Sequence, residues 1–405
     1  MPDPRHIVVA TTDFRPMPGG VADYLHRMAQ SLAASADVTV VTTVPQNGVG
    51  WDHAYRLEAL APLPQRRLGE RTGDRFGPIR RLRTAAHFLA LRRHAERVVA
   101  DIKARTPGDV VVVIGIWDTA SHFWCEACHR AGLPYYLATY GIELVIPLYG
   151  RLPRWRRTDF ARAARVLAVS QATAELARER MGLASTPVVI HPSAGPRPAA
   201  AEIDARAAKL RQALGLDEAG AGPVLLSVGR LVARKGFDLV LQSVSELQRD
   251  YPGLRYIIVG NGPERIGLEK QARELGIASK VRLLGHADEV TKWASYELCD
   301  VFVMPNRLLG GRDWEGFGVV FVEAALAGRP SIAGRSGGTA DAVVDQSTGL
   351  HVDPEHPGAL TAAIRRLLDD RDLRLRLGRE GEHRARTRFS GEALADRLRT
   401  ELDWS

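Results

Sequence analysis

Residues 301–330 constrain the fold of this chain more than any other stretch. Val301 to Pro305, V-F-V-M-P, is a short apolar run of strand length, followed by a loop carrying Gly310 and Gly311. From about Phe317 the apolar pattern predicts a helix, ended by Gly328-Arg329-Pro330, a glycine and then a proline. A strand, a glycine-rich turn and a helix start make one step of an α/β fold. The first turn of that helix offers unpaired N–H groups, which suit an anion such as a phosphate.

Two carboxylates frame the step, Glu315 before the helix and Glu323 within it. Eight helical residues span roughly 12 Å at about 1.5 Å per residue. That separation lets one carboxylate reach a sugar and the other a ribose, with a diphosphate between them. The plainer reading of Glu323 is a solvated helix residue. Against it, Val319, Val320, Phe321, Val322, Ala324, Ala325 and Leu326 make the helix apolar all round, which predicts burial. A buried carboxylate needs hydrogen-bond partners, and ligand hydroxyls would serve.

The run E-G-F-G-V-V-F-V-E-A-A-L-A-G-R-P from Glu315 to Pro330 closely resembles the signature of retaining glycosyltransferases of family 4. With Trp314 before it, the wording W-E-G-F-G is most similar to the phosphatidylinositol mannosyltransferase branch. The resemblance runs over nearly the whole chain and is strongest from Val224 to Pro354. It implies an α/β fold of the GT-B type, with two Rossmann-like domains facing across a nucleotide-sugar cleft. It also implies that Glu315 contacts the donor sugar and Glu323 the ribose hydroxyls. The backbone of Gly316, Phe317 and Gly318 would meet sugar and phosphate, with Asn306 in the same donor site.

The start of the chain reads as a βαβ unit: strand His6–Thr12, helix Val21–Ala33, strand Val38–Thr43. Asp13 follows the first strand, and Gly19-Gly20 stands at the turn into the helix. A glycine pair by itself is only a turn; the resemblance assigns Gly19 and Gly20 to the donor diphosphate. Val110–Ile116 and Tyr135–Thr139 read as buried parallel strands. After the second comes Tyr140-Gly141-Ile142-Glu143, where the family has His-Gly-x-Glu. A tyrosine with a reference pKa of about 10 is no base at neutral pH. Retaining transfer tolerates this change, because a leaving phosphate oxygen can take the acceptor's proton. Tyr140, Glu143, Asp13 and Ser170 are placed near the sugar and acceptor.

Further strands are read at Val166–Ser170, Val188–His191, Val224–Val228, Tyr256–Val259, Val281–Leu284 and Gly349–Val352, with a helix at Ile203–Leu216. After Val228 come Arg230 and Lys235 in a strand-to-helix loop. The arginine fork and the lysine point charge suit a diphosphate and the charge that develops on it as it leaves. In relatives the turn at Gly285 cradles the nucleobase, largely by backbone. The domains are read as 1–191, a linker 192–199, 200–385, and a C-terminal helix 386–405 that packs back on the first domain.

At 405 residues, two domains are expected. No apolar run reaches the length of a membrane span, and the N-terminus enters a strand without a signal-peptide core, which reads as cytoplasmic. The net charge of +8 favours anionic partners. No nucleic-acid module is recognisable. The arginines between Arg66 and Arg105, with a helix from Pro78, suggest the inner face of an anionic membrane, or simply a solvated helix. Residues 150–165 carry the same ambiguity. Cys125-x-x-Cys128-His129 matches a haem c attachment pattern, but a helix over Ala120–Ala131 sets the two cysteines one turn apart as small buried residues. With His122 added, four ligands on one short helix could hardly surround a zinc ion. Asp370-Arg371-Asp372 matches a D-x-D metal motif but sits in a charged helical tail. No metal and no cofactor are expected.

The resulting expectation is a metal-independent retaining hexosyltransferase. Its donor would be a nucleotide diphosphate sugar, GDP-mannose first and a UDP-sugar second. Its acceptor would be lipid-linked or a small polyol such as an aminocyclitol. The alternatives are a GT-B relative with other chemistry, or a pseudo-enzyme that binds nucleotide sugar without transferring it.

Overall fold

The computed structural model describes residues 6–17, 19–42, 55–59, 78–105, 110–145, 154–217, 220–310, 314–356 and 358–402. The chain forms two compact units, one of Met1–His191 with Leu394–Ser405, the other of Pro192–Ala393.

The first unit is built on seven parallel strands: β1 (His6–Thr11), β2 (Asp37–Thr42), β3 (Arg56–Ala59), β4 (Val110–Ile114), β5 (Tyr135–Thr139), β6 (Arg165–Ala168) and β7 (Val188–Val189). Their order in the sheet is β3-β2-β1-β4-β5-β6-β7. Parallel strands with both faces covered need apolar side chains on each face, and β4, V-V-V-V-I, is buried along its whole length. Helix Thr119–Ala131 buries Cys125 and Cys128 in this core. Burial pushes the Cys128 thiol up to about 12 and the Cys125 thiol well above its ordinary value, so both behave as small apolar side chains.

The basic helix forms at Pro78–Arg105. It gives Ala95, Val99 and Ile102 to the core, while Arg92 and Arg130 share Glu96 on its outer side. The arginines from Arg66 to Arg75 lie outside the described residues, as do Gly311 and Asp313. Among the described residues no helix is long and apolar enough to cross a membrane. The chain returns to this unit through helix Gly391–Glu401, which buries Leu394 and Leu398 and pairs Glu401 with Arg165; Leu402, just past it, is buried as well.

The second unit carries β8 (Val224–Val228), β9 (Arg255–Val259), β10 (Val281–Gly285), β11 (Val301–Met304), β12 (Ser331–Gly334) and β13 (Gly349–Val352). All are parallel, in the order β10-β9-β8-β11-β12-β13. In both sheets the first strand of the unit sits inside, and the chain winds outward from it in two directions. The crevice at the carboxyl ends of the two strands where the winding reverses is where open α/β sheets take ligands. Those places are β1/β4 in the first unit and β8/β11 in the second.

Several elements differ from their sequence expectation. The helix expected from Phe317 begins at Val319, because Gly318 adopts φ 91° and caps it. The helix expected at Ile203–Leu216 runs Ala200–Ala213. Strands β3 and β12 were not expected; each is four residues long, too short to show a period. In the D-x-D stretch Asp370 is a helix cap, its carboxylate accepting from Leu373 N at 2.8 Å.

Candidate functional site

The loops after β8 and β11 meet at one buried carboxylate. Glu315 is 9% exposed, and Oε2 accepts from Lys235 Nζ at 2.5 Å, Arg234 Nη1 at 2.7 Å and Asn306 Nδ2 at 2.8 Å. Burial works against ionisation of Glu315, but Lys235 and then Arg234 outweigh it and hold the carboxyl at about 2. Among the described residues Oε1 takes no hydrogen bond, which leaves one oxygen of an ionised carboxylate for a hydroxyl. Asn306 is fully buried and its Oδ1 has no partner.

Backbone packing holds this arrangement in place. Arg307 N donates to Arg234 O at 2.8 Å, and Gly338 N donates to Glu315 O at 2.9 Å. Gly337 sits at φ 55°, where a Cβ would drive into the Glu315 carbonyl. The loops after β8, β11 and β12 are thereby knitted into one surface at the switch point of the sheet.

Arg230 lies five residues before Lys235 but has another environment. It is exposed, and its side chain takes no hydrogen bond or ion pair among the described residues. The clamp expected of Arg230 and Lys235 is therefore not a preformed pair: Lys235 is 8% exposed and bound to Glu315, while Arg230 is open to solvent. Arg234, which the sequence reading passed over, is the second cation on Glu315.

Glu323 is buried on helix Val319–Leu326, as its apolar surroundings predicted. Its partners come from the protein: Lys292 Nζ donates to Oε1 at 2.8 Å and Tyr296 Oη to Oε2 at 2.9 Å. Both belong to helix Glu289–Leu298. Each carboxylate oxygen keeps a second lone pair, so a ribose hydroxyl can still donate to it. Phe317 packs its ring on Phe389, with centroids 5.4 Å apart, leaving only its backbone for a ligand. Gly316 is half-buried and Gly318 buried. Gly285 ends β10 at φ 74°.

At the β1/β4 switch point of the first unit, Thr12 Oγ1 donates to Asp118 Oδ2 at 2.5 Å, and Asp118 caps helix Thr119–Ala131. The Asp13 carboxyl is pushed up to about 6, chiefly by burial and then by Asp23 and Asp118. Gly19 and Gly20 open helix Gly20–Ala33, with nothing within 4 Å of where a Cβ would stand. Tyr140 is buried, its ring edge-on to Tyr24 at 5.8 Å and its hydroxyl donating to Gly115 O at 2.8 Å. Burial raises its pKa well above the ordinary value, so it stays neutral. Glu143 accepts through Oε1 from Thr139 Oγ1 and from Tyr140 N, the latter at 2.6 Å; Oε2 is buried without a partner. Ser170 is fully buried as the cap of helix Gln171–Met181.

Among the described residues no group of three or more His, Cys, Asp or Glu side chains is placed to hold a metal ion. His122 instead bonds Asp159 through Nδ1 at 2.9 Å.

Two Rossmann-like units, one with a cation-bound carboxylate at its switch point, define a protein of the GT-B fold. Residues 209–384 match the family model for glycosyl transferases group 1, and residues 19–194 match the glycosyl transferase 4-like domain. Each half of the chain thus matches a glycosyltransferase family model, the second half that of group 1. It is 38% identical over 200 residues to a GDP-mannose-dependent alpha-(1-6)-phosphatidylinositol monomannoside mannosyltransferase of Mycolicibacterium smegmatis, a match covering 48% of this chain and 51% of that one. It is 31% identical over 198 residues to an alpha-D-kanosaminyltransferase of Streptomyces kanamyceticus, covering 49% of each. The chain thus spans about half the length of the curated relatives it matches. Among solved structures, HepE of Anabaena in complex with UDP and glucose superposes with a TM-score of 0.71 at 19% identity, over 98% of this chain and 99% of that one.

Proposed function

We propose that this chain transfers a hexose from a nucleotide diphosphate sugar to a hydroxyl acceptor, with retention of configuration and without a metal. The Glu315–Lys235–Asn306 constellation at the β8/β11 switch point carries the reading. There Lys235, shared between Glu315 and the ligand, would meet the diphosphate, and the exposed Arg230 would close on it from solvent. Together they would stabilise the charge that develops on the leaving group. Glu315 Oε1 would orient the sugar, the backbone from Gly316 to Gly318 would contact sugar and phosphate, and Glu323 would hold the ribose. The second unit would carry the donor. The first would carry the acceptor near Asp13, Tyr140 and Glu143, with Gly19 and Gly20 offering open backbone to the diphosphate.

GDP-mannose is the first donor, supported by the mannosyltransferase likeness, and a lipid-linked acceptor at a membrane surface goes with it. The kanosaminyltransferase likeness supports a second reading, a different nucleotide sugar and a soluble aminocyclitol acceptor. Thermal unfolding in a metal chelator, with GDP, UDP, ADP or dTDP added, separates them. A nucleotide at about 100 times its dissociation constant adds about 2.7 kcal/mol to the folded state. GDP is expected to stabilise the wild type, and Arg230→Ala is expected to lose the response at little cost in folding, since Arg230 is exposed and its side chain has no partner among the described residues. A response to UDP alone selects the second reading. No response to any nucleotide overturns both.

A further inference from the structure

Arg156, on helix Arg154–Arg162, is 1% exposed. Its Nη1 donates to the Glu143 carbonyl, and its guanidinium lies 4.9 Å from the centroid of the Trp117 ring. Nε and Nη2, which form the side-on edge of the fork, are buried with no hydrogen-bond partner. Among the described residues no carboxylate oxygen is hydrogen-bonded to Arg156. Asp159 accepts from Trp117 Nε1 at 3.0 Å and from His122, and Glu143 directs Oε1 to Thr139 and Tyr140. Among the described residues Arg156 has no ion pair, and residues 146–153 contain no Asp or Glu. A buried guanidinium with two N–H groups unpaired is expensive even with the Glu143 charge near it, and two parallel N–H groups without partners are the shape that receives a carboxylate or phosphate. A second buried orphan, Glu143 Oε2, belongs to the residue whose carbonyl Arg156 already holds.

Glu143 follows β5 and Trp117 follows β4, so the open edge stands at the ligand-binding end of the first unit's sheet. We propose that Arg156 Nε and Nη2 form an anion subsite that takes a phosphate group of the acceptor. The proposal rests on the reading that the first unit holds the acceptor. A hydroxyl beside that phosphate would find Glu143 Oε2. Lysine could not replace Arg156, because a point charge offers no fork.

Titration calorimetry of inorganic phosphate into the full chain, saturated with GDP to occupy any donor site, tests this. The wild type is expected to bind one phosphate, and Arg156→Lys to bind it at least tenfold more weakly. Equal affinity in the two proteins, or no binding to the wild type, overturns the subsite. Should Arg156→Lys fail to fold, wild-type crystals soaked in tungstate decide. Anomalous density against Nε and Nη2 supports the site, and a water or protein oxygen there overturns it. Competition by glycerol phosphate assigns a soluble phosphorylated acceptor, and competition only by phosphatidylglycerol vesicles assigns a lipid headgroup. Failure of both overturns the acceptor assignment. Nucleotide binding is scored separately, so failure of the donor reading is not mistaken for failure at Arg156.

Discussion

Glu315 and Asp13 both stand at the carboxyl end of a parallel sheet, and their neighbours move them in opposite directions. Glu315, held at about 2 against an ordinary 4.5, contributes stability above its unfolded pKa that is lost as pH falls toward 2. Asp13, raised to about 6 from 3.8, contributes most at low pH and loses that contribution as pH rises through 6. Asp13→Asn is therefore expected to stabilise the protein by about 1–2 kcal/mol near pH 7 and by nothing near pH 4. Glu315→Gln, which leaves Lys235 buried without a carboxylate, is expected to cost about 3 kcal/mol near pH 7. Urea unfolding at the two pH values reads both, and a stabilisation by Asp13→Asn that persists at pH 4 would contradict the account. The sequence pattern marked Glu315, Glu323 and Lys235. It could not mark Lys292 or Tyr296, about 30 residues from Glu323, because such contacts follow no local period.

At the scale of elements, glycines of two kinds divide the work. Gly337 is required by the packing of its loop on the Glu315 carbonyl, whereas Gly19 and Gly20 face open space. Gly337→Ala is expected to destabilise by about 1–3 kcal/mol and to shift Glu315. Gly19→Ala, with its extended backbone at φ 161°, is expected to change stability by less than about 0.5 kcal/mol. Chemical denaturation of the two variants distinguishes them; equal losses would mean that crowding is not what selects glycine here. The long apolar strands and the Gly328-Arg329-Pro330 stop were plain from composition and spacing. The start of helix Val319–Leu326 was not, because Gly318 enters a left-handed conformation there, where a Cβ would also meet the ring of Phe321.

For the whole molecule, the C-terminal helix matters most to the first unit. Leu398 is fully buried there, and Arg399 reaches Ser35 at 3.1 Å. Leu398→Ala is expected to cost about 2–5 kcal/mol. In calorimetry the loss should fall on the first unit's transition and leave nucleotide-induced stabilisation unchanged; loss of the nucleotide response would place the helix's influence elsewhere.

Apolar runs and glycine-marked turns were enough to read individual buried strands and helix ends, since those signals are local, and the family resemblance carried by residues 315–330 implied the two-domain fold. Which charges meet was decided by the folded chain alone. Arg234 rather than Arg230 sits on Glu315, Lys292 and Tyr296 serve Glu323, and Arg156 is sealed inside with an open fork. Each of these depends on residues far apart in sequence, brought together by strand order and packing.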